Sequence, residues 1–234
     1  DPDATSDSYV WDVTSVPVGT YWVYAVISDG NTTTTHYSSV SVYLPDRLAP
    51  VVSNLSLSSN PAQVNVDVVL SATIDDTGSG GSDIFAAEYS IDGGIYQAMT
   101  STDGAFDSTT ENVVVTIPAF TSPGVHDICV RGSDDYANVS DPVCALLAIY
   151  DAAAGYVTGN GRGTVFSIAG ADHENLTLDG NALFSFSSKY RPGTSVPDGK
   201  VDFSFDNGNL SFKGTEMQWL VITDEPRARF RGLG

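Results

Sequence analysis

Apolar and polar residues alternate along most of the chain with the two-residue period of a β-strand. Alternating runs rich in β-branched and aromatic residues recur about every eight to twelve residues, separated by Gly, Pro, Asn and Asp. The clearest runs are residues 20–28, 64–74, 112–117, 201–205 and 219–223. No segment keeps an apolar stripe at helical spacing over several turns. The pattern therefore predicts an all-β fold.

A partial internal repeat relates two of these runs. Pro17–Asp29 aligns with Pro123–Asp135 when Gly19 is placed on Gly124. The alternate positions, which we expect to face a core, are Tyr21, Val23 and Ala25 in one copy and His126, Ile128 and Val130 in the other. A polar loop and a second strand follow in both copies. This order is typical of the last three strands of an immunoglobulin-like (Ig-like) sandwich, with Tyr21 as its corner tyrosine.

Three stretches extend this likeness through the middle of the chain: "APVVSNLSLSSNP", "AEYSIDGGIYQAM" and "CVRGSDDYANVSDPVC". With them, residues 49–150 resemble one complete Ig-like, fibronectin-III-like module of bacterial or archaeal extracellular proteins. Residues 1–48 resemble only the C-terminal half of such a module. Because an Ig-like sandwich needs about seven strands, we expect the missing strands to come from a longer polypeptide or from another subunit.

The last third of the chain resembles a different kind of domain. The stretches "GYVTGNGRGTVF", "LFSFSSKYRPGTSVPDGKVDFSFDNGNLSFKGT" and "WLVITDEPRARFRG" are similar to part of the post-COAP-1 type of β-rich domain found in large secreted proteins. The resemblance implies an antiparallel β-sandwich or meander at 151–234 and no catalytic role. The apolar residues at strand period predict its core: Phe184, Phe186, Tyr190, Phe203, Phe205, Phe212, Trp219, Val221 and Phe230.

The net charge is −19, from 29 acidic and 10 basic residues. The acidic share is ordinary and the basic residues are scarce, which favours an extracellular protein. The field of such a chain repels phosphate backbones, so we expect no nucleic-acid partner. No stretch approaches the roughly 20 apolar residues of a membrane span. Residues 151–234 hold eight of the ten basic residues.

The two cysteines are Cys129 and Cys144. Each lies on one of two strands that are neighbours in the predicted sandwich, so they can face each other across the sheet. Such a disulfide fits an exported, oxidised protein. The alternative is a pair of free, small apolar side chains. Two cysteines and scattered histidines do not make a zinc site.

Carboxylates gather in the loops at one end of the predicted central sandwich. They are Asp75, Asp76, Asp83, Asp134 and Asp135. Calcium binds such hard oxygen ligands, and a weak site is useful outside the cell. Their spacing, however, matches no EF-hand or β-roll repeat, and Asp in turns commonly accepts hydrogen bonds from backbone N–H groups. Calcium is the one cofactor that the sequence suggests.

Aromatic side chains suggest a ligand or contact face. Trp22 and Tyr24 are predicted to point outward from one strand, with Trp11 and Tyr43 nearby. Aromatic faces bind sugars, but an exposed aromatic patch is more often a contact with another domain or subunit. Asn-x-Ser/Thr sequons, candidate glycosylation sites, occur at Asn31, Asn54, Asn138, Asn175 and Asn209.

The sequence carries no nucleophile–base arrangement and no complete phosphate-binding loop, so we expect no enzyme activity. The expected function is that of a structural spacer or assembly module in a larger secreted or cell-surface protein. Its expected partners are neighbouring domains of the same protein or like subunits. The alternatives are an adhesin-like module that binds a glycan or a protein, and an accessory region of a secreted hydrolase.

Overall fold

The structure of the protein, a computed structural model, describes residues 10–13, 16–165, 180–205, 209–223 and 227–234. All regular secondary structure in these ranges is β-strand, which confirms the all-β prediction. None of the described residues forms a helix long and apolar enough to cross a lipid bilayer.

The described part of the N-terminal segment, residues 10–13 and 16–48, contains four short strands. They are β1 (Gly19–Tyr21), β2 (Tyr24–Ser28), β3 (Thr33–Tyr37) and β4 (Val42–Leu44). β1 pairs with β4 and β2 pairs with β3, both antiparallel. The alternating run at 20–28 is therefore two strands rather than one. The Tyr21 hydroxyl donates a hydrogen bond to the Pro17 carbonyl at 2.7 Å, which is the tyrosine corner expected from the repeat.

The expected inner positions of this segment are largely open to solvent. Val23 is 55% exposed and Ile27 is 65% exposed, while Tyr21 is half-buried. Every residue of β2 and β3 is exposed, so neither face of this hairpin is covered by another sheet among the described residues. The four described strands of this segment enclose no core. The sequence predicts this, because the segment corresponds to only half of a complete sandwich.

The central segment, residues 49–150, contains nine strands. They are β5 (Val51–Leu57), β6 (Ala62–Gln63), β7 (Val68–Asp75), β8 (Ile84–Ile91), β9 (Gln97–Ala98), β10 (Thr100–Ser101), β11 (Thr110–Ile117), β12 (Gly124–Asp134) and β13 (Val143–Tyr150). They form two sheets with the orders β10-β11-β7-β5 and β6-β13-β12-β8-β9. β5 pairs antiparallel with β7 in the first sheet, and β6 pairs in parallel with β13 in the second. The chain therefore crosses from one sheet to the other between residues 57 and 62.

The two sheets of the central segment enclose one apolar core. Alternate residues of β7 point into this core: Val68, Leu70, Ala72 and Ile74 are almost fully buried. The facing sheet contributes alternate residues of β12 and β13, among them Ile128. The two-residue period of the sequence thus places each strand's apolar face correctly.

The C-terminal segment, residues 151–234, contains six described strands. They are β14 (Tyr156–Val165), β15 (Gly180–Lys189), β16 (Asp198–Phe205), β17 (Leu210–Gly214), β18 (Glu216–Ile222) and β19 (Ala228–Leu233). The first four form an antiparallel meander, and β18 and β19 form a separate hairpin. The meander is amphipathic, because alternate residues place phenylalanines on one face and polar side chains on the other.

The predicted core of this segment is partly correct. Tyr190, Phe205 and Val221 are buried, and Phe186, Phe203, Trp219 and Phe230 are half-buried. Two members are exposed instead, because Phe184 and Phe212 each keep 42% of their area in solvent. The β18–β19 hairpin packs near Phe186, whose ring centroid lies 5.4 Å from that of Phe230, and leaves this other part of the phenylalanine face uncovered.

Candidate functional site

Three buried carboxylates converge at one end of the central sandwich. Asp76 follows β7, Asp134 ends β12, and Asp46 lies between β4 and β5. Their exposed fractions are 6% for Asp46, 0% for Asp76 and 1% for Asp134. One carboxylate oxygen of each lies within 4.8 Å of the other two. This carboxylate cluster thus brings three buried titratable side chains together at the end of the sandwich.

The loop after β7 folds around the Asp76 side chain. Asp76 Oδ2 accepts the Ser82 N–H at 2.7 Å, and Oδ1 accepts the Ser79 hydroxyl at 2.9 Å. The Asp76 carbonyl accepts the N–H groups of Ser79 and Gly81. Short polar residues therefore close this loop through hydrogen bonds to one aspartate, as Asp does in turns.

Asp134 organises the neighbouring loop after β12 in the same way. Its Oδ1 accepts the N–H groups of Tyr136 and Asn138, both at 2.9 Å. Asp46 joins from the connecting segment, where it accepts the Leu48 N–H at 3.0 Å and the Ser82 hydroxyl at 2.5 Å. Ser82 thus bridges Asp46 and Asp76 with its hydroxyl and its N–H.

The electrostatics of the cluster are unfavourable for three ionised groups. Burial raises the pKa of Asp76, the charges of Asp46 and Asp134 raise it further, and hydrogen bonds from Ser82 and Ser79 oppose the shift. None of the ion pairs formed by the described residues includes any of the three carboxylates. A shared proton or a bound cation would relieve this repulsion. Three carboxylates supply the oxygen ligands that calcium takes.

The structure brings together two of the five aspartates that the sequence suggests. Asp75 points elsewhere, because its Oδ1 accepts hydrogen bonds from Thr77 and Thr110, which lower its pKa. Asp83 and Asp135 are exposed and outside the cluster, although the Asp135 N–H donates to the Asp83 carbonyl at 3.0 Å. For Asp75 beside Asp76, and for Asp135 beside Asp134, the split follows from the extended backbone, in which neighbouring side chains point in opposite directions.

The third member, Asp46, was missed by the sequence reasoning. It lies in a Pro-containing stretch that reads as a linker between modules, far along the chain from Asp76 and Asp134. Only the tertiary arrangement places this stretch against the loop that follows β7. No local signal in the sequence could have identified it.

The two cysteines form the predicted disulfide. Cys129 on β12 lies directly opposite Cys144 on β13 in the strand register, with their sulfur atoms 2.09 Å apart. Asp127 lies near both sulfurs. A disulfide provides no thiolate ligand, so this group is not a metal site.

The four aromatic residues proposed as one face do not share one set of contacts. Trp22 and Tyr24 are 58% and 59% exposed, and the Tyr24 ring lies 5.5 Å from that of Tyr37. Trp11 packs edge-on against Tyr21 instead. The Tyr43 hydroxyl contacts the Tyr136 hydroxyl of the central segment.

The candidate glycosylation sites differ in their surroundings. Asn31, Asn54 and Asn209 are exposed. Asn138 is half-buried, and its side-chain amide donates to Asp134 at 2.8 Å, so a glycan there would disturb the carboxylate cluster. Asn175 lies outside the described residues.

Comparison with known proteins adds no identification. No protein-family model matches this chain, and a search of curated proteins finds no match.

Proposed function

We propose that this chain is a non-catalytic structural spacer of an extracellular protein, which holds successive β-domains in a fixed relative arrangement. The observation that carries the proposal is the contact between Tyr150 and Tyr190, whose rings stack with centroids 4.3 Å apart. Tyr150 ends the last strand of the central sandwich, and Tyr190 belongs to the C-terminal segment. The two segments therefore share an apolar cluster, and a freely rotating linker would not bury one.

The shared cluster is anchored by polar as well as apolar contacts. Tyr150, Tyr190 and Leu220 are buried together. The Tyr190 hydroxyl accepts the Leu220 N–H at 3.0 Å. Burial raises the pKa of Tyr190 to about 12, so its hydroxyl stays protonated and neutral at ordinary pH. Reorienting one segment against the other would expose these rings and break this hydrogen bond.

The junction between the N-terminal and central segments has its own contacts. Asp46 accepts the hydroxyl of Ser82, and Tyr43 contacts Tyr136 through their hydroxyl groups. A buried aspartate at such a connection limits bending, because moving it would break its hydrogen bond with Ser82 in the loop after β7. Both junctions thus favour a spacer with limited flexibility.

An extracellular location agrees with the disulfide and with the scarcity of basic residues. The central segment resembles Ig-like modules, which commonly occur in series, and this supports a role as one unit of a longer array. The partners that we propose are neighbouring domains of the same polypeptide or like subunits. Such a partner would add strands to the N-terminal segment, where the β2–β3 hairpin is exposed.

Small-angle X-ray scattering tests the spacer proposal. We expect the unmodified chain to give a narrow distribution of interatomic distances that a single arrangement of segments fits. Tyr190→Ala should broaden that distribution, because it removes the stack on Tyr150. The matched control is Tyr156→Ala, which removes a largely exposed tyrosine of the same segment and should leave the scattering unchanged. A distribution in the unmodified chain as broad as in Tyr190→Ala would contradict the proposal.

A further inference from the structure

The polar face of the C-terminal meander carries an ordered array of side chains. Strand register places Tyr156, Lys189 and Asp198 in one row across the sheet. The next three rows are Thr158, Ser187 and Lys200; then Asn160, Ser185, Asp202 and Lys213; then Arg162, Leu183, Ser204 and Ser211. Small hydroxyl side chains occupy much of the middle of the sheet, and longer side chains stand toward its margins.

Two grooves cross the strands on this face. The larger has a volume of about 680 Å³ and runs between the row of Asn160 and the row of Arg162. All eight residues of these two rows line it. So do the residues of the row between them, Gly161, Phe184, Phe203 and Phe212, and the three phenylalanine side chains of that row point to the opposite face. The groove therefore lies on the polar side. At about 4.8 Å per strand spacing, a groove across four strands is roughly 15 Å long.

The charge of this face is opposite in sign to that of the protein. Arg162, Lys200 and Lys213 point to the polar side from three different strands. Among the described residues, no carboxylate lies within ion-pair distance of any of them. Asp198, at the end of the array, pairs with Arg191. Asp202 shares a row with Lys213 and also lines the larger groove, outside the ion pairs of the described residues. The described part of this face therefore sets three cations against one such carboxylate, an excess of positive charge that favours an anion in a protein of net charge −19.

We propose that this face binds an acidic glycan, an oligosaccharide that carries carboxylate groups. Arg162 and Lys213 stand on opposite edge strands of the larger groove and would bind carboxylates of different sugar units. The hydroxyl groups of Ser185 and Ser204 between them can hydrogen-bond sugar hydroxyls. The side chain of Tyr156 is 71% exposed beside the smaller groove and offers a ring for stacking.

A glycan fits this face better than a protein does. The core of a protein interface is apolar and aromatic with few charges, whereas the walls of the larger groove contain a single large apolar side chain, Leu183. A long nucleic acid would meet the acidic field of the rest of the molecule. A short, hydroxyl-rich anion needs no apolar contact surface, and it can reach the three cations without extending into the acidic field of the other segments.

Isothermal titration calorimetry with tri-galacturonate at low ionic strength tests this proposal, with maltotriose as the neutral probe of equal length. We expect tri-galacturonate to bind and maltotriose not to bind. The double variant Arg162→Gln/Lys213→Gln should weaken binding at least about tenfold. Its matched control, Arg229→Gln/Arg231→Gln, removes the same charge from exposed positions on β19 and should leave the affinity unchanged.

A second variant tests the groove without altering charge. Ser204→Leu places an apolar side chain in the larger groove and should reduce binding as strongly, while circular dichroism shows the same thermal transition as in the unmodified chain. Equal loss of affinity in the Arg229/Arg231 control would show non-specific charge attraction and would overturn the proposal. So would absence of tri-galacturonate binding at millimolar concentration. Self-association in sedimentation experiments that the Arg162/Lys213 variant abolishes would overturn it too, because a second copy would then occupy the face.

Discussion

The ring of Tyr190 stacks on the ring of Tyr150, with their planes inclined by only 22°. Tyr150 is the last residue of β13, and Tyr190 follows β15 in the next segment. The hydroxyl at the other end of Tyr190 accepts the backbone N–H of Leu220 on β18. One side chain therefore contacts the central sandwich and the hairpin that packs beside the meander, which makes it a sensitive position for probing how the segments are held together.

Tyr190→Phe is expected to destabilise the C-terminal segment by about 1–2 kcal/mol. The variant keeps the ring stack but leaves the N–H of Leu220 without its acceptor in a buried position. Urea unfolding, followed by tryptophan fluorescence of the nearby Trp219, measures the change. Tyr156→Phe is the control, because its hydroxyl belongs to a largely exposed side chain, and it should unfold like the unmodified chain.

The disulfide is expected to contribute about 3 kcal/mol, because it closes a loop with a sequence separation of 15 residues. The variant Cys129→Ser/Cys144→Ser should therefore unfold at lower urea concentration than the oxidised chain. Reductant should lower the stability of the unmodified chain toward that of the variant and leave the variant itself unchanged. Two free thiols per chain in a titration without reductant would contradict the bridge.

Local pattern was sufficient to predict the longer strands β7, β11, β12 and β13 of the central sandwich and the position of its bridge. Leu70, Ile74 and Ile128 are buried where strand alternation places them, because a sheet with one buried face fixes which side chains point inward. The alignment of the two repeats put Cys129 and Cys144 on neighbouring strands, and their register makes them directly opposite. Short-range information sufficed for both.

The pattern did not predict how far each apolar face is covered. Phe184 and Phe212 alternate like core residues, but coverage depends on where the β18–β19 hairpin lies, which no strand period encodes. Asp46 is a second example, because its contact with Ser82 joins residues 36 positions apart. Long-range packing decided both outcomes.

Asp76→Asn is expected to change how stability depends on pH. Because the folded state raises the pKa of Asp76, ionising this group costs free energy in the folded chain, and its contribution falls as pH rises through that pKa. Asparagine stays neutral and can still accept the Ser82 N–H. In metal-free buffer the variant should gain stability relative to the unmodified chain as the pH rises above the ordinary pKa of an aspartate, 3.8, toward the raised pKa of Asp76. Urea unfolding across this range measures the difference, and a difference that does not depend on pH would contradict the expectation.

Calcium binding at the carboxylate cluster stays a prediction from the sequence, now with Asp46 beside Asp76 and Asp134. We expect CaCl₂ at ten times its dissociation constant to stabilise the unmodified chain by about 1.4 kcal/mol, since a ligand of the folded state shifts unfolding by mass action. Asp76→Asn should abolish the effect, and EDTA should reverse it. An equal shift in both proteins, or none in the unmodified chain, would contradict a calcium site here.

Gly80 is expected to be intolerant of any side chain, because it lies directly against the carboxylate of Asp46. A Cβ atom at this position would lie 2.0–2.2 Å from the two oxygens and the Cγ atom of that carboxylate, and the φ angle of +154° is rarely adopted by other residues. Gly80→Ala must therefore displace the buried Asp46 side chain from its hydrogen bonds with Ser82 and Leu48 and strain the loop as well. We expect a loss of about 3 kcal/mol in thermal or urea unfolding. Gly78→Ala is the control, because a Cβ atom there meets nothing within 4 Å, and it should leave stability nearly unchanged. Equal stabilities for the two variants would show that the connecting segment does not hold Asp46 against this loop in solution.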